Sequence, residues 1–248
     1  MDKIANAFKG KKANIGYIVA GYPSLEYSKE FLNLLDDSTL DIIEIGIPYS
    51  DPLADGKLIA NAAFQACNNG VNTTKVFDML KGVKTSKALV FLVYYNIILA
   101  YGEDKFLRQS LECGISGILV PDMPYEESCE FALKCQQYGI SLIRLIAPTS
   151  TKRSKEILSG SSGFIYAVGS LGVTGGEQSS LDRLKDMIKF IKGNTNLPVA
   201  VGFGIKNSND VKKTKEYADG AIIGTKIVEI TSKFDPQTAH QKIKELFE

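Results

Sequence analysis

Eight short apolar runs, each set off from the next by a segment of helical period, constrain this chain more than any other feature. They are NIGYIVA (14–20), DIIEIG (41–46), ALVFLVYY (88–95), GILVP (117–121), ISLIRLIA (140–147), GFIYAV (163–168), LPVAVG (197–202) and DGAIIG (219–224). Most are apolar almost throughout instead of alternating, which is the pattern of strands in a parallel sheet covered on both faces. The segments between them, such as LEYSKEFLNLLDD, LIANAAFQACNNG and SLDRLKDMIKFIKG, place apolar residues three and four apart, and several end at glycine, the usual helix stop. Eight strand-helix units in 248 residues predict an α/β fold, a single-domain (β/α)8 TIM barrel over 1–248. A doubly wound open sheet is the rival, but its GxGxxG fingerprint is missing after the first run, where the chain reads AGYPS.

Charge and cysteine usage narrow the partners. Twenty-nine Lys+Arg against twenty-eight Asp+Glu leave a formal charge of +1 without long runs of one sign, so neither nucleic acid nor an anionic membrane has an electrostatic footprint here. A small molecule or another protein remains. Cys67, Cys113, Cys129 and Cys135 show no CxxC spacing and the only histidine is His240, which argues against a metal site. The cysteines are expected to be small buried apolar residues in a reducing compartment, and His240 to be solvated surface. No stretch is long enough to span a bilayer, and IGYIVA is too short for a signal segment, so the expected location is cytoplasmic.

The second run contains an anomaly, a glutamate in IIEIGIPYSDPLADG (42–56). Strand alternation puts Ile42 and Glu44 on one face and Ile43 and Ile45 on the other, without deciding which face is the barrel interior. A buried carboxylate needs a partner or a use, because isolation costs several kcal/mol or raises its pKa. Glu44 lies near the carboxyl end of its strand, where barrel enzymes build their sites. In the adjoining loop, Asp51 before Pro52 reads as a turn former. Asp55 before Gly56 reads either as the N-cap of a helix starting near Leu58 or as a catalytic group. A carboxyl with a raised pKa and a second one kept ionised on a solvated loop make a usable acid/base pair.

Taken together, IEIGIPYSDPLADG, YIVAGYP (17–23), VYYN (93–96), VPDMPYEES (120–128), IYAVGSLGVTG (165–175), VGFGI (201–205) and GAIIGTKIV (220–228) resemble the signatures of the tryptophan synthase alpha chain family over nearly the whole chain. The resemblance implies a (β/α)8 barrel that cleaves indole-3-glycerol phosphate to indole and glyceraldehyde 3-phosphate by a retro-aldol reaction. It implies no cofactor on this chain and a tryptophan synthase beta chain as partner, in an alpha2-beta2 complex with PLP on the beta chain. Glu44 matches the family's acid/base residue, and Asp55 the carboxylate that accepts the indole N–H. Lys57 stands where proline is frequent and Thr225 where serine is usual; neither departure removes a functional group.

Phosphate in such barrels is commonly held by the loops after the seventh and eighth strands and the start of a short extra helix. Gly202, Phe203 and Gly204 occupy the first loop, Gly224 and Thr225 the second, and KIVEITS supplies the helix. The resemblance places Tyr17, Tyr94, Ile146, Tyr166 and Phe203 around the substrate, whereas without it each reads first as barrel filling, since inward-facing barrel positions are normally packed solid. Thr174 and Gly175 belong to the polar, glycine-rich segment 170–180, expected to be mobile in the free chain, and the resemblance matches Thr174 to the family residue that approaches the Asp55 loop when the site closes. Two rivals stay in view. One is a neighbouring phosphate-binding barrel that isomerises or cyclises a related substrate, which would call for a lysine or cysteine near the strand ends. The other is a catalytically silent subunit kept to regulate a partner.

Overall fold

The computed structural model describes residues 2–150, 153–169, 177–202 and 204–248. Eight parallel strands close in sequence order into a barrel: β1 (Ala13–Val19), β2 (Ile42–Gly46), β3 (Ala88–Leu92), β4 (Ile115–Leu119), β5 (Ser141–Ile146), β6 (Ile165–Val168), β7 (Val199–Gly202) and β8 (Gly220–Ile223). Ile15 of β1 faces Ile222 of β8 in register on one side and Ile42 of β2 on the other, so no strand edge is left and the open-sheet alternative is excluded.

Alternation along the strands sorts the apolar side chains into two layers. Ile15, Ile42, Val90, Ile143 and Ile222 fill the interior, together with Ile4 and Ala7 from the helix Lys3–Phe8. That helix seals the amino end of the barrel, and Asp2 caps it by accepting from the backbone N–H groups of Ile4 and Ala5. The opposite faces carry Ile18, Ile43, Ile45 and Phe91 outward against Phe31, Phe77 and Phe106 of the surrounding helices. Each such side chain removed from water contributes on the order of 1.5–3 kcal/mol, which makes this two-layer packing the main support of the fold.

Several expected details change. The run 88–95 is not all strand: β3 stops at Leu92 and Tyr95 opens the helix Tyr95–Tyr101, a confusion that short apolar runs invite. His240 is no solvated surface residue. Its ring stacks on Phe31 with centroids 4.1 Å apart, and its nitrogens reach Ser38 Oγ (3.0 Å) and Phe31 O (2.9 Å), so the last helix, Pro236–Phe247, docks through it. Burial pushes its pKa down. Cys113 and Cys135 are buried as expected, whereas Cys67 is half-buried and Cys129 exposed.

Candidate active site

The anomalous glutamate faces the barrel interior. Ile43 and Ile45 pack in the outer layer, so Glu44 must point inward, and it is only 1% exposed. Among the described residues its Oε1 has no hydrogen-bond partner. Burial alone pushes its pKa up to about 8, so near neutral pH most of this carboxyl holds its proton.

Asp55 meets it in one cavity of about 400 Å³, whose walls include Tyr17, Glu44, Asp55, Leu145, Tyr166 and Gly202. The carboxylate of Asp55 is half-buried, not solvated; burial raises its pKa and a hydrogen bond from Tyr94 opposes the rise. Tyr94 Oη donates to Asp55 Oδ2 (3.0 Å) and accepts from Ala54 N (3.0 Å), which pins the loop to the strand end. Asp55 is no helix cap. The helix Lys57–Asn68 starts from Gly56 without a side-chain cap bond. Asp51 accepts from its neighbour Ser50 Oγ (2.7 Å), not from a nearby backbone N–H.

Two tyrosines shape the cavity in the same way. Tyr17 lies opposite Glu44 in register and leans along the strands over Gly46; Tyr166 lies opposite Ala200 and leans over Gly202. At either glycine a Cβ would collide with the tyrosine ring and hydroxyl, so both positions need a residue without one. Burial raises the pKa of both phenols, and both feel Glu44 and Asp55 electrostatically, which places the four groups around one space.

Toward β7 and β8 the cavity continues into a second of about 610 Å³ that shares Ala54, Ile59, Tyr166, Gly202 and Gly224 with it. Its outer wall adds Gly204, Lys206, Thr225 and Lys226. Gly204 has a φ of +54°, a left-handed conformation that favours glycine. Thr225 opens the short helix Thr225–Thr231.

Ile146 does not join the cavity. It packs outward with Ile157, Leu184 and Ile188 in the helix layer, while its neighbours Leu145 and Ala147 form the wall. A one-residue slip on a strand exchanges the two faces, and ISLIRLIA offers too little alternation to fix the phase. Tyr94 bonds to Asp55 and is not among the residues of that cavity wall. Thr174, Gly175 and Phe203 lie outside the described residues. Leu119, Leu145 and Lys206 also line the walls, and the only signal the sequence carries for them is their position near strand ends and in the adjoining loops; Ile59 reaches the wall from the first turn of the helix Lys57–Asn68.

A closed barrel that gathers a protonated carboxyl and a second carboxylate at the carboxyl ends of its strands is an acid/base barrel enzyme acting on a small molecule. The family model described as tryptophan synthase alpha chain matches residues 4–248. The chain is 44% identical over 241 residues to the tryptophan synthase alpha chain of Campylobacter jejuni subsp. doylei, covering 97% of each chain. It is 42% identical over 243 residues to that of Methanocaldococcus jannaschii, covering 96% of this chain and 86% of the relative. Among solved structures, the tryptophan synthase subunit alpha from Campylobacter jejuni superposes with a TM-score of 0.91 at 43% identity, over 97% of each chain. Tryptophan synthase from M. tuberculosis in its ligand-free form gives 0.89 at 28% identity, over 100% of this chain and 98% of that one. The chain belongs to the tryptophan synthase alpha chain family. Its reaction is the lyase step of tryptophan biosynthesis, the aldol cleavage of indole-3-glycerol phosphate that releases indole.

Proposed function

We propose that Glu44 and Asp55 carry this cleavage as an acid/base pair. The observation that supports the assignment is the buried Glu44 carboxyl, raised to about 8 and sharing one cavity with Asp55. Glu44 delivers a proton to C3 of the indole, and Asp55 accepts the indole N–H and stabilises the positive charge that develops on the ring. Loss of the glycerol hydroxyl proton, taken up through Glu44 once it is ionised, forms the aldehyde. The C–C bond electrons return to the ring and restore indole. Tyr94 holds Asp55 in place.

The indole occupies the space between Tyr17, Leu145 and Tyr166, and the phosphate lies against Gly202, Gly204, Gly224 and Thr225, where two loops bring backbone close to solvent. Thr174, Gly175 and Phe203 are assigned to the same substrate through the family motifs. Lys206 and Lys226 add positive charge to that wall, although Lys226 pairs with Glu229 (2.9 Å).

The partner is a beta chain carrying PLP, in an alpha2-beta2 complex, with no cofactor on this chain and a cytoplasmic location. Leu53, 91% exposed, stands between Asp51 and Asp55, so a chain seated on it would bear on the loop that carries Asp55. Among the described residues no helix is long and apolar enough to cross a membrane. The test is an aldol-cleavage assay of the purified chain with indole-3-glycerol phosphate, alone and with a beta chain titrated in. Indole release that rises with the beta chain is expected; a rate independent of it would remove the coupling, and no release under either condition would remove the catalytic assignment.

A further inference from the structure

A second charged feature lies outside the reaction cavity. On β5, Arg144 alternates with Leu145, so when Leu145 faces the reaction cavity Arg144 is directed into the helix layer. It is 6% exposed. Its Nη1 donates to Ser128 Oγ, and its guanidinium carbon lies 5.3 Å from the centre of the Tyr125 ring. Among the described residues its Nε has no hydrogen-bond partner, and no carboxylate forms an ion pair with it. The groups that act on it electrostatically are Cys129, Tyr125 and Cys135. Arginine stays charged in proteins, so among the described residues this is a buried cation without a counter-charge, an arrangement costly unless something pairs with it.

Arg144 lines a cavity of about 580 Å³ between the helices Cys129–Gln137 and Ser154–Ser159. Among the described residues no acidic side chain is in its wall. Leu133 and Ile140 give an apolar side, and Gln136 and Ser141 supply neutral donors, while the Ser161 hydroxyl is committed to Ile157 O (2.6 Å). Tyr125 closes one side, seated over Gly160, where a Cβ would meet its ring at 2.8 Å. The smaller cavity on the other side of Arg144, about 320 Å³, contains Asp122 and is the less suitable for an anion.

We infer that this cavity binds a small organic anion, whose carboxylate or phosphate pairs with the guanidinium of Arg144 and whose carbon body rests on Leu133 and Ile140. The guanidinium fork matches such a group in the plane of its N–H bonds, and the pairing supplies the missing counter-charge. The site is independent of the catalytic assignment, since Arg144 touches neither Glu44 nor Asp55.

Calorimetric titration of the full chain with benzoate, acetate and inorganic phosphate tests the inference and separates its two sources. At least one probe should bind, and Arg144→Met should weaken that binding roughly tenfold or more, the worth of one charge-assisted hydrogen bond. Cleavage kinetics should be unchanged. Phosphate held by the catalytic loops is told apart because glyceraldehyde 3-phosphate displaces it and Arg144→Met does not. Equal affinity in the Met variant, or no binding of any probe, would overturn the site. Should the Met variant fail to fold, crystals of the unaltered protein soaked in selenate decide: an anomalous peak in this cavity at hydrogen-bond distance from the Arg144 guanidinium supports the site, and its absence there sinks it.

Discussion

The two sides of the reaction cavity are built on the same plan and equipped differently. On the β1–β2 side a tyrosine leans over Gly46 beside a buried glutamate; on the β6–β7 side a tyrosine leans over Gly202 beside loops made of glycine. On the proposed assignment the first side offers a proton from Glu44, whose burial raises its carboxyl to about 8, and a negative charge from Asp55. The second offers backbone, with Gly202, Gly204 and Gly224 exposing peptide groups that side chains would otherwise cover. Chemistry thus needs ionisable groups withdrawn from water, while anion binding needs main chain left accessible, and one barrel end supplies both by varying the loop after each strand.

The division can be broken most strongly at Glu44. Glu44→Gln keeps shape and removes the proton, so turnover should fall about 10²–10⁴-fold with substrate affinity retained, as read by single-turnover cleavage beside equilibrium binding. Near-normal turnover would take Glu44 out of the mechanism. The parent's proton delivery should decline as pH rises through about 8. Stability carries the same sign: the folded form holds this proton more tightly than the unfolded chain. The contribution is therefore full below 4.5 and is lost as pH climbs to about 8, a slope that denaturation of the Gln variant should lack.

Asp55→Asn comes next, with an expected loss of about 10²–10³-fold in rate, the range for removing one charge-stabilising group. Its melting point should barely move, since Asn still accepts from Tyr94, and Asp55→Ala should lose only the worth of that one bond, because Gly56 starts the helix without a side-chain cap. Early melting of the Ala variant alone, with an active Asn variant, would restore the cap reading.

The glycine pair sharpens the comparison. Gly46→Ala and Gly202→Ala each force a tyrosine ring aside, at about 1–3 kcal/mol by denaturant unfolding. The first should show chiefly in kcat and the second in KM. Equal effects on one parameter would erase the distinction between the two sides. The smallest expected effect is that of Tyr94→Phe, about 0.5–1.5 kcal/mol for the lost Asp55 and Ala54 bonds, accompanied by a lower kcat at nearly constant KM.

Much of this was legible from residue order alone. The barrel follows from the spacing of eight apolar runs, and Glu44 stands out as a carboxylate where the pattern calls for an apolar residue, whereas spacing left Asp55 open between helix cap and acid/base group. Ile146 shows the limit. In ISLIRLIA the alternation is too weak to tell which side chain faces inward, and only the pairing of Leu145 with Tyr166 across β5 and β6 settles it. His240 shows another: its partners, Ser38 and Phe31, lie some two hundred residues earlier, beyond the reach of local pattern.

The features that the sequence determined by itself are therefore periodic or local: strand and helix order, barrel closure as an expectation, the family, and which residue types stand at strand ends. Tertiary structure alone decided the phase of each strand, the burial that raises Glu44 to about 8, the Tyr94 bond that holds Asp55, and the burial of Arg144 with no ion-pair partner among the described residues. Period is a property of neighbours along the chain, whereas burial and pairing depend on groups that only the closed barrel brings together.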